Sequence, residues 1–353
     1  MTQPAELNLE LTPSQRCDAI DLRAQLRDRF GDTLEAYRKA IYCSHHTTAG
    51  FLDRHVGRRL RHRADLFDFI GAFQRLFPEH ADYEHDKLHL RTELSAEQRQ
   101  TEPRNADSHL TFISAGMHNC VTYPTADTHP VYLVDLDGVH EHGARRRKAS
   151  IIAYNDDRPV ATVELEVPVS NHPVDSINVF SPELGLTEQL NDFIRHHGVS
   201  KGRLDISLAS DEKDASLTVN EFETLLMQND LRDVLRSPVR FMREKGRNLL
   251  RDPRSVPHKT LNYAQYDLVQ LLNELMDAVG ASESILERLL ARLIGLPASR
   301  LLAVRRSVSL LVSDSGRDAG AIVKGTYQSP ILMQWRKPEH DRRHLTATLV
   351  AFS

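Results

Sequence analysis

The clearest order in the chain is an alternation of apolar and polar residues that occurs twice. Leu7, Leu9 and Leu11 in ELNLEL, and Val163, Leu165 and Val167 in TVELEV, follow the period of two that turns one face of a strand to a core. Each strand is followed by a run with helical spacing, Leu22 to Phe30 and Leu186 to Ile194, and then by another strand. Those later strands, AIYCSHHTTAGF and DISLASDEKDASL, align without a gap from Ser44 on Ser210 to Phe51 on Leu217. The closing segments, VYLVDLDGVHEHGARRRKASIIAY and ILMQWRKPEHDRRHLTATLVAF, share paired strands, a basic turn and an alternating final strand. Like segments in like order predict a duplicated domain, with its boundary at the polar turn Asn155 to Pro159.

The middle of the second half breaks this parallel. Leu268, Leu271, Leu272, Leu275, Met276 and Val279 have helical spacing, as do Ile285, Leu286, Leu289, Leu290, Leu293 and Ile294. Ser284 and Glu287 form a capping-box pattern and Gly295 a stop, which predicts a leucine-rich helical hairpin.

A chain of 353 residues is long enough for two cores, and 45 basic against 49 acidic residues give a formal charge of -4. That balance supplies no global pull toward nucleic acid or an anionic membrane. The N-terminal segment lacks a signal-peptide pattern and no apolar stretch reaches the roughly 18 residues of a membrane span, so the expected location is the cytoplasm. Cys17, Cys43 and Cys120 are odd in number and form no CxxC pair, so they read as reduced, mostly packing residues. Histidine is unevenly spread, with 12 of 18 before residue 143. No P-loop, dinucleotide fingerprint, nucleophile elbow or zincin motif occurs, and no nucleotide cofactor is indicated.

Three segments of the first half set histidines beside hydroxyl or amide groups: HHTTAG at 45–50, YEHD at 83–86 and NADSHL at 105–110. With Asn105 or Asp107 as N-cap, His109 falls in the first turn of a helix, where the dipole disfavours imidazolium and leaves a ring able to accept a metal or a proton. Three neutral imidazoles with an open fourth position suit a divalent metal, zinc first. The same helix start, with the hydroxyls of Thr47 and Thr48, suits a phosphate instead. Residue types and spacing leave these alternatives open.

Taken together, the three segments resemble the YjbQ family, which carries a His-Thr-Thr-Ala segment, a Tyr-x-His segment, and an Asn followed by a helical His-Leu. His46, His85 and His109 stand at the matching places in the first half. That half departs where Arg54 and His55 replace an Asn-Glu, and where Asp127, Thr128 and His129 replace a Gly-Thr-Trp-Gln strand. The second half shows the reverse losses. It keeps Asn220-Glu221 and Gly325-Thr326-Tyr327-Gln328, but has Glu212 and Arg288 in place of histidines and no second Tyr-x-His.

The resemblance implies an α+β fold: two tandem YjbQ-like antiparallel β-sandwich domains with flanking helices, residues 1–158 retaining the three-histidine site and residues 159–353 having lost it. It also implies trimer-like assembly, so a homo-oligomer is expected, and an activity forming thiamine phosphate from its pyrimidine and thiazole precursors. Asp135 and the run Arg145 to Lys148 resemble the family's acidic strand end and basic segment. Arginine forks there would clamp an anionic substrate. The expected function is a metal-assisted or phosphate-directed enzyme, a thiamine-phosphate-synthase-like transferase or a metal-dependent lyase or hydrolase, acting on a small anionic substrate. His46, His85 and His109 are its metal ligands or acid/base groups and Asp135 an orienter or base. Thr47, Thr48, Asn105, Arg145 and Arg147 bind substrate, and Asn220, Glu221 or Gln328 reach across from the second half. The alternative is a non-catalytic small-molecule-binding or regulatory protein using the same pocket. Neither nucleic acid nor membrane is an expected partner.

Overall fold

The alternating segments form strands, and the halves use them in the same order. The structure, a computed structural model, describes residues 3–60, 62–141, 143–236, 305–315 and 319–353. The first half contains β1 (Ala5–Leu11), β2 (Asp18–Asp21), α1 (Leu22–Phe30), β3 (Lys39–Ser44), β4 (Ala49–Gly50), α2 (Arg54–Arg59), α3 (Arg63–Leu76), α4 (Ala96–Thr101), α5 (Ala106–Ser114), β5 (Cys120–Pro124), β6 (Tyr132–Asp135), a short hairpin of β7 (Val139–His140) and β8 (Gly143–Ala144), and β9 (Arg147–Tyr154). After a two-residue turn come β10 (Asp157–Pro168), β11 (Asp175–Asn178), α6 (Leu186–His196), β12 (Lys201–Leu208), β13 (Ala215–Glu221), α7 (Leu231–Arg236), β14 (Ser307–Ser313), β15 (Ala321–Val323), β16 (Gln328–Gln334) and β17 (Arg342–Phe352). The fold is α+β, with antiparallel sheets throughout the described residues. The leucine-rich hairpin expected over 268–294, with Arg288 and Gly295, lies outside them.

The larger sheet of the first half has the order β1-β9-β3-β5, and that of the second β10-β17-β12-β14-β15. The smaller sheets, β2-β6-β4 and β11-β16-β13, also correspond strand for strand. In each half a larger sheet, a smaller sheet and one helix enclose a core. Leu9, Leu11, Leu22, Leu26, Tyr42, Leu133 and Ile151 belong to the first core, and Leu165, Val167, Leu190, Leu204, Leu217, Leu332 and Leu349 to the second.

β3 and β9 are buried on both faces, as the near-continuous apolar runs AIYC and SIIAY require. Ala40, Tyr42, Ile151 and Ala153 face the first core, while Ile41, Cys43, Ile152 and Tyr154 pack against Leu311, Val350 and Phe352 from the second half. Tyr154 stacks on Phe352 with centroids 3.9 Å apart, a pair worth about 0.5–1.5 kcal/mol beyond its buried area. Cys43 and Cys120, directly opposite each other on β3 and β5, are free thiols in this same apolar layer, with their sulfurs 2.8 Å apart.

These sheets form one compact unit: Met1–Arg54, Gly116–Phe222 and Val304–Ser353. The other unit comprises His55–Ala115 and Glu223–Ala303. In it, Leu66, Phe69, Ile70 and Phe73 make the buried stripe of α3, and all nine residues of α5 are buried. Among the described residues no helix is long and apolar enough to cross a membrane.

Candidate functional site

The turn carrying His46 is closed by its own first residue. Ser44 donates its hydroxyl to the Ala49 carbonyl at 2.6 Å and accepts the His46 N–H at 3.3 Å. The ring of His46 then accepts the Lys148 backbone N–H at Nε2, 2.7 Å away, which leaves Nδ1 as the protonated nitrogen of a neutral imidazole. Burial, reinforced by the positive charges of Arg147, His45, Arg145 and Lys148, lowers the pKa of His46 to about 3.

Arg147 and Asp135 lie behind this turn and are almost wholly buried. Arg147 donates Nε to Asp135 Oδ2 at 2.6 Å and Nη2 to Asp135 Oδ1 at 2.7 Å. Its Nη2 also reaches the Asp137 carbonyl at 2.7 Å and the Thr48 hydroxyl at 3.3 Å. Burial pushes the Asp135 carboxyl up and Arg147 opposes it, leaving it above the usual range. With both oxygens held by arginine, Asp135 is arranged as an orienter. Arg145 pairs with the Asp137 carboxylate, and the Thr47 carbonyl accepts from Asn220 at 3.1 Å. His46, Thr48, Asp135 and Arg147 are thus joined through a few direct bonds around one turn.

The second half repeats this frame with the charges moved. Leu11 pairs with Arg147, and Val167 with Arg343. Arg343 donates Nε to Gln334 Oε1 at 3.3 Å, where Arg147 meets Asp135, and Nη2 to the Arg336 carbonyl, as Arg147 does to Asp137. Glu212 accepts the N–H of His344 at 2.7 Å, as His46 accepts that of Lys148. Ala49 opposes Asp135 and Ala215 opposes Gln334, so the ungapped alignment holds from His46 onward. It fails upstream. Ser44 opposes Ala149, two residues past Arg147, whereas the residue opposite Leu345, two past Arg343, is Leu208 and not Ser210. The second turn is therefore two residues longer, a difference that strand register reveals and the sequence alignment absorbs.

His85 and His109 belong to the other unit, where their rings meet edge to face with centroids 5.3 Å apart. Asn105 is the N-cap residue of α5, and His109 sits in its first turn. The Asn105 side chain makes no capping bond; its Oδ1 faces His85 Nε2 at 3.1 Å. His85 Nδ1 lies 3.0 Å from Glu223 Oε2. Burial raises the Glu223 carboxyl, but bonds from His85 and from the N–H groups of Leu225 and Leu226 outweigh it and hold the group below its ordinary range. A buried imidazole oriented by a carboxylate is a general acid/base arrangement.

Asp230 closes a π-helical turn, Leu226–Asp230, and accepts the N–H groups of Glu84 at 3.1 Å and His85 at 3.0 Å. Such turns recur at functional sites. Asp86 accepts the Ala106 N–H at 3.0 Å, and burial raises its pKa to about 7. Sequence reasoning missed Glu223, Asp230 and Asp86 as members of this cluster. The one signal was an acidic residue just before the apolar run of TLLMQNDLRDVL, a helix-start pattern that identifies a cap but not its histidine partner.

Among the described residues no group of three or more His, Cys, Asp or Glu side chains is placed to hold a metal ion. A metal on Nδ1 of His46 would require the ring proton on Nε2, which faces the Lys148 donor, and both nitrogens of His85 are engaged. As arranged, these two rings do not fit a metal without giving up those bonds.

No protein-family model matches the sequence, and no curated protein matches it. Among solved structures, the chain is similar to a YbjQ-like protein of unknown function from Sulfolobus solfataricus P2, at 14% identity over 56% of this chain and 99% of that one, with a TM-score of 0.29. It is similar to a hypothetical protein from Aeropyrum pernix K1 at 14% identity, over 54% and 98% of the two chains, with a TM-score of 0.28. An uncharacterized conserved YjbQ-family protein from Clostridium acetobutylicum matches at 13% identity over 53% and 98%, with a TM-score of 0.26.

Proposed function

We propose that the chain consists of two diverged copies of a YjbQ-like domain and is a phosphate-directed enzyme whose first copy receives the anionic group of a small substrate at the His46 turn. The observation that carries this reading is the state of His46: a neutral ring, locked by the Lys148 N–H, with Nδ1–H as its available donor in the positive field of Arg147, Arg145 and Lys148. Such a ring donates to an anion without first having to gain a proton. The matching strand orders and the correspondence of Arg147 with Arg343 support the duplication. The motif resemblance suggests a thiamine-phosphate-synthase-like transfer as the first reaction to assay. The His85–Glu223 pair is the acid/base candidate of the other unit.

The test is to titrate the protein with inorganic phosphate and pyrophosphate while following the His46 ring by NMR, and to assay thiamine phosphate formation from its two precursors. Saturable binding is expected, with loss of binding and at least about a hundredfold loss of turnover in His46→Ala. Binding without turnover on any phosphorylated substrate would reassign the chain to the non-catalytic class. Elemental analysis in parallel decides the metal: one stoichiometric divalent ion, released by acid, would replace the phosphate-directed reading with a metal-assisted one.

A further inference from the structure

The two halves have lost opposite parts of one motif set. The first keeps the histidine turn but has no Asn-Glu and no Gly-Thr-x-Gln; the second keeps those and has Glu212 where the first has His46. The structure brings the two remainders together within one unit. Gln328, which is buried, donates Nε2 to the Ser44 carbonyl at 2.9 Å and to the His46 carbonyl at 2.7 Å. Its Oε1 accepts the Gly325 N–H at 2.9 Å, which fixes the direction of the amide. Asn220, fully buried, donates to the Thr47 carbonyl in the same turn at 3.1 Å. Gly325 lies so close that a Cβ there would come within 1.8 Å of the His45 carbonyl oxygen, so no other residue fits without moving the turn.

We infer that Gln328 and Asn220, with Gly325 as the required close approach, are positioning residues of the His46 site, so that the chain carries one composite site assembled from complementary remnants of its two halves. Three carbonyls of the turn, those of Ser44, His46 and Thr47, are held by amide donors of the second half, and His46 and Thr47 belong to no strand. Each hold fixes main-chain angles of the turn and thereby the direction in which the His46 ring leaves it. The ring can meet the Lys148 N–H only while that direction is kept. Retention of Gln328 and Asn220 in a half that lacks the histidine follows, because the histidine they serve is in the other half. The role in anion binding rests on the function proposed above; the positioning of the turn does not.

Gln328→Glu tests the inference with little change of shape. An ionised glutamate keeps an acceptor for the Gly325 N–H but faces the Ser44 and His46 carbonyls with an oxygen in place of a donor. Two readouts are made on the full chain: hydrogen exchange of the Lys148 amide, whose acceptor is His46 Nε2, and affinity for inorganic phosphate. Near pH 7.5 the variant is expected to exchange the Lys148 amide about tenfold faster and to bind phosphate about tenfold more weakly, the scale of one lost hydrogen bond of about 1.4 kcal/mol. Lowering the pH until the introduced carboxylate regains a proton restores an O–H donor, and the variant's Lys148 exchange, corrected for intrinsic rate, is expected to return toward wild type. Unchanged Lys148 protection at pH 7.5 would overturn the inference, as would a loss that acid does not recover. If the wild-type chain binds no phosphate, the function proposed above fails while Lys148 exchange still decides the positioning role. If Gln328→Glu does not fold, Asn220→Ala takes its place: faster Lys148 exchange at pH 7.5 supports the positioning role and unchanged protection overturns it.

Discussion

Arg343 and Glu212 form a buried ion pair, Nη1 to Oε2 at 2.6 Å, at the place where the first half carries His46. In the first half the corresponding arginine, Arg147, is neutralised by Asp135 at the end of β6. The equivalent end of β16 is Gln334, which brings no charge, and the turn supplies the carboxylate instead. The two arginines stand at matching places on their strands, and their carboxylate partners do not. Glu212 is thus the buried counter-ion of Arg343, where the sequence marks it only as standing in place of a histidine.

Glu212→Ala would leave Arg343 buried without its counter-ion, and such a loss typically costs about 3–5 kcal/mol. A clear fall in the urea midpoint is expected, with turnover at the His46 site unaffected in whatever fraction remains folded. Adding Gln334→Glu, which returns a carboxylate beside Arg343, should recover part of the loss. A Glu212→Ala chain within about 0.5 kcal/mol of wild type, the range of ordinary surface changes, would contradict the assignment.

His46 stays neutral in the folded chain down to about 3, while in the unfolded chain it takes up a proton near 6.5. Between these values the unfolded state binds the extra proton, so the stability tied to His46 is lost as pH falls through the window from 6.5 to 3. His46→Asn should lose less stability than wild type between pH 6.5 and 4.5, because all other titrations are common to both chains. Parallel stability–pH curves would show that His46 is not held neutral by the fold.

Asp86 has the opposite sign. Its folded pKa of about 7 lies above the ordinary 3.8, so folding takes up a proton between these values and the associated stability is lost as pH rises from 3.8 through 7. Asp86→Asn keeps an oxygen for the Ala106 N–H without the buried charge. The variant should be more stable than wild type at pH 8, by up to a few kcal/mol, with the advantage shrinking below pH 5. A variant less stable at pH 8 would mean that the ionised carboxylate is wanted by the His85 cluster.

The family resemblance leads us to expect assembly beyond the 40.1 kDa chain. Light scattering across a hundredfold concentration range should give a mass that is a multiple of this value. A constant mass near 40.1 kDa would end that expectation.

What the sequence determined by itself was local. The alternation at Leu7 to Leu11 and Val163 to Val167 specified strands with one face inward, and the spacing from Leu22 to Phe30 specified α1, because periodicity is set by residues a few positions apart. The His46 turn and the retained Gly325 to Gln328 pattern were also legible, being contiguous motifs. Tertiary structure decided every charge partner that matters. Glu223 lies 138 positions from His85, and Glu212 lies 131 from Arg343. Which carboxylate meets which cation depends on strand register and on how elements pack, and a carboxylate reads the same in sequence whether it lies on the surface or pairs with a buried arginine. The two-residue lengthening of the second turn was hidden for the same reason: a gapless alignment conserves residue count, whereas register is set by the backbone hydrogen bonds of β17.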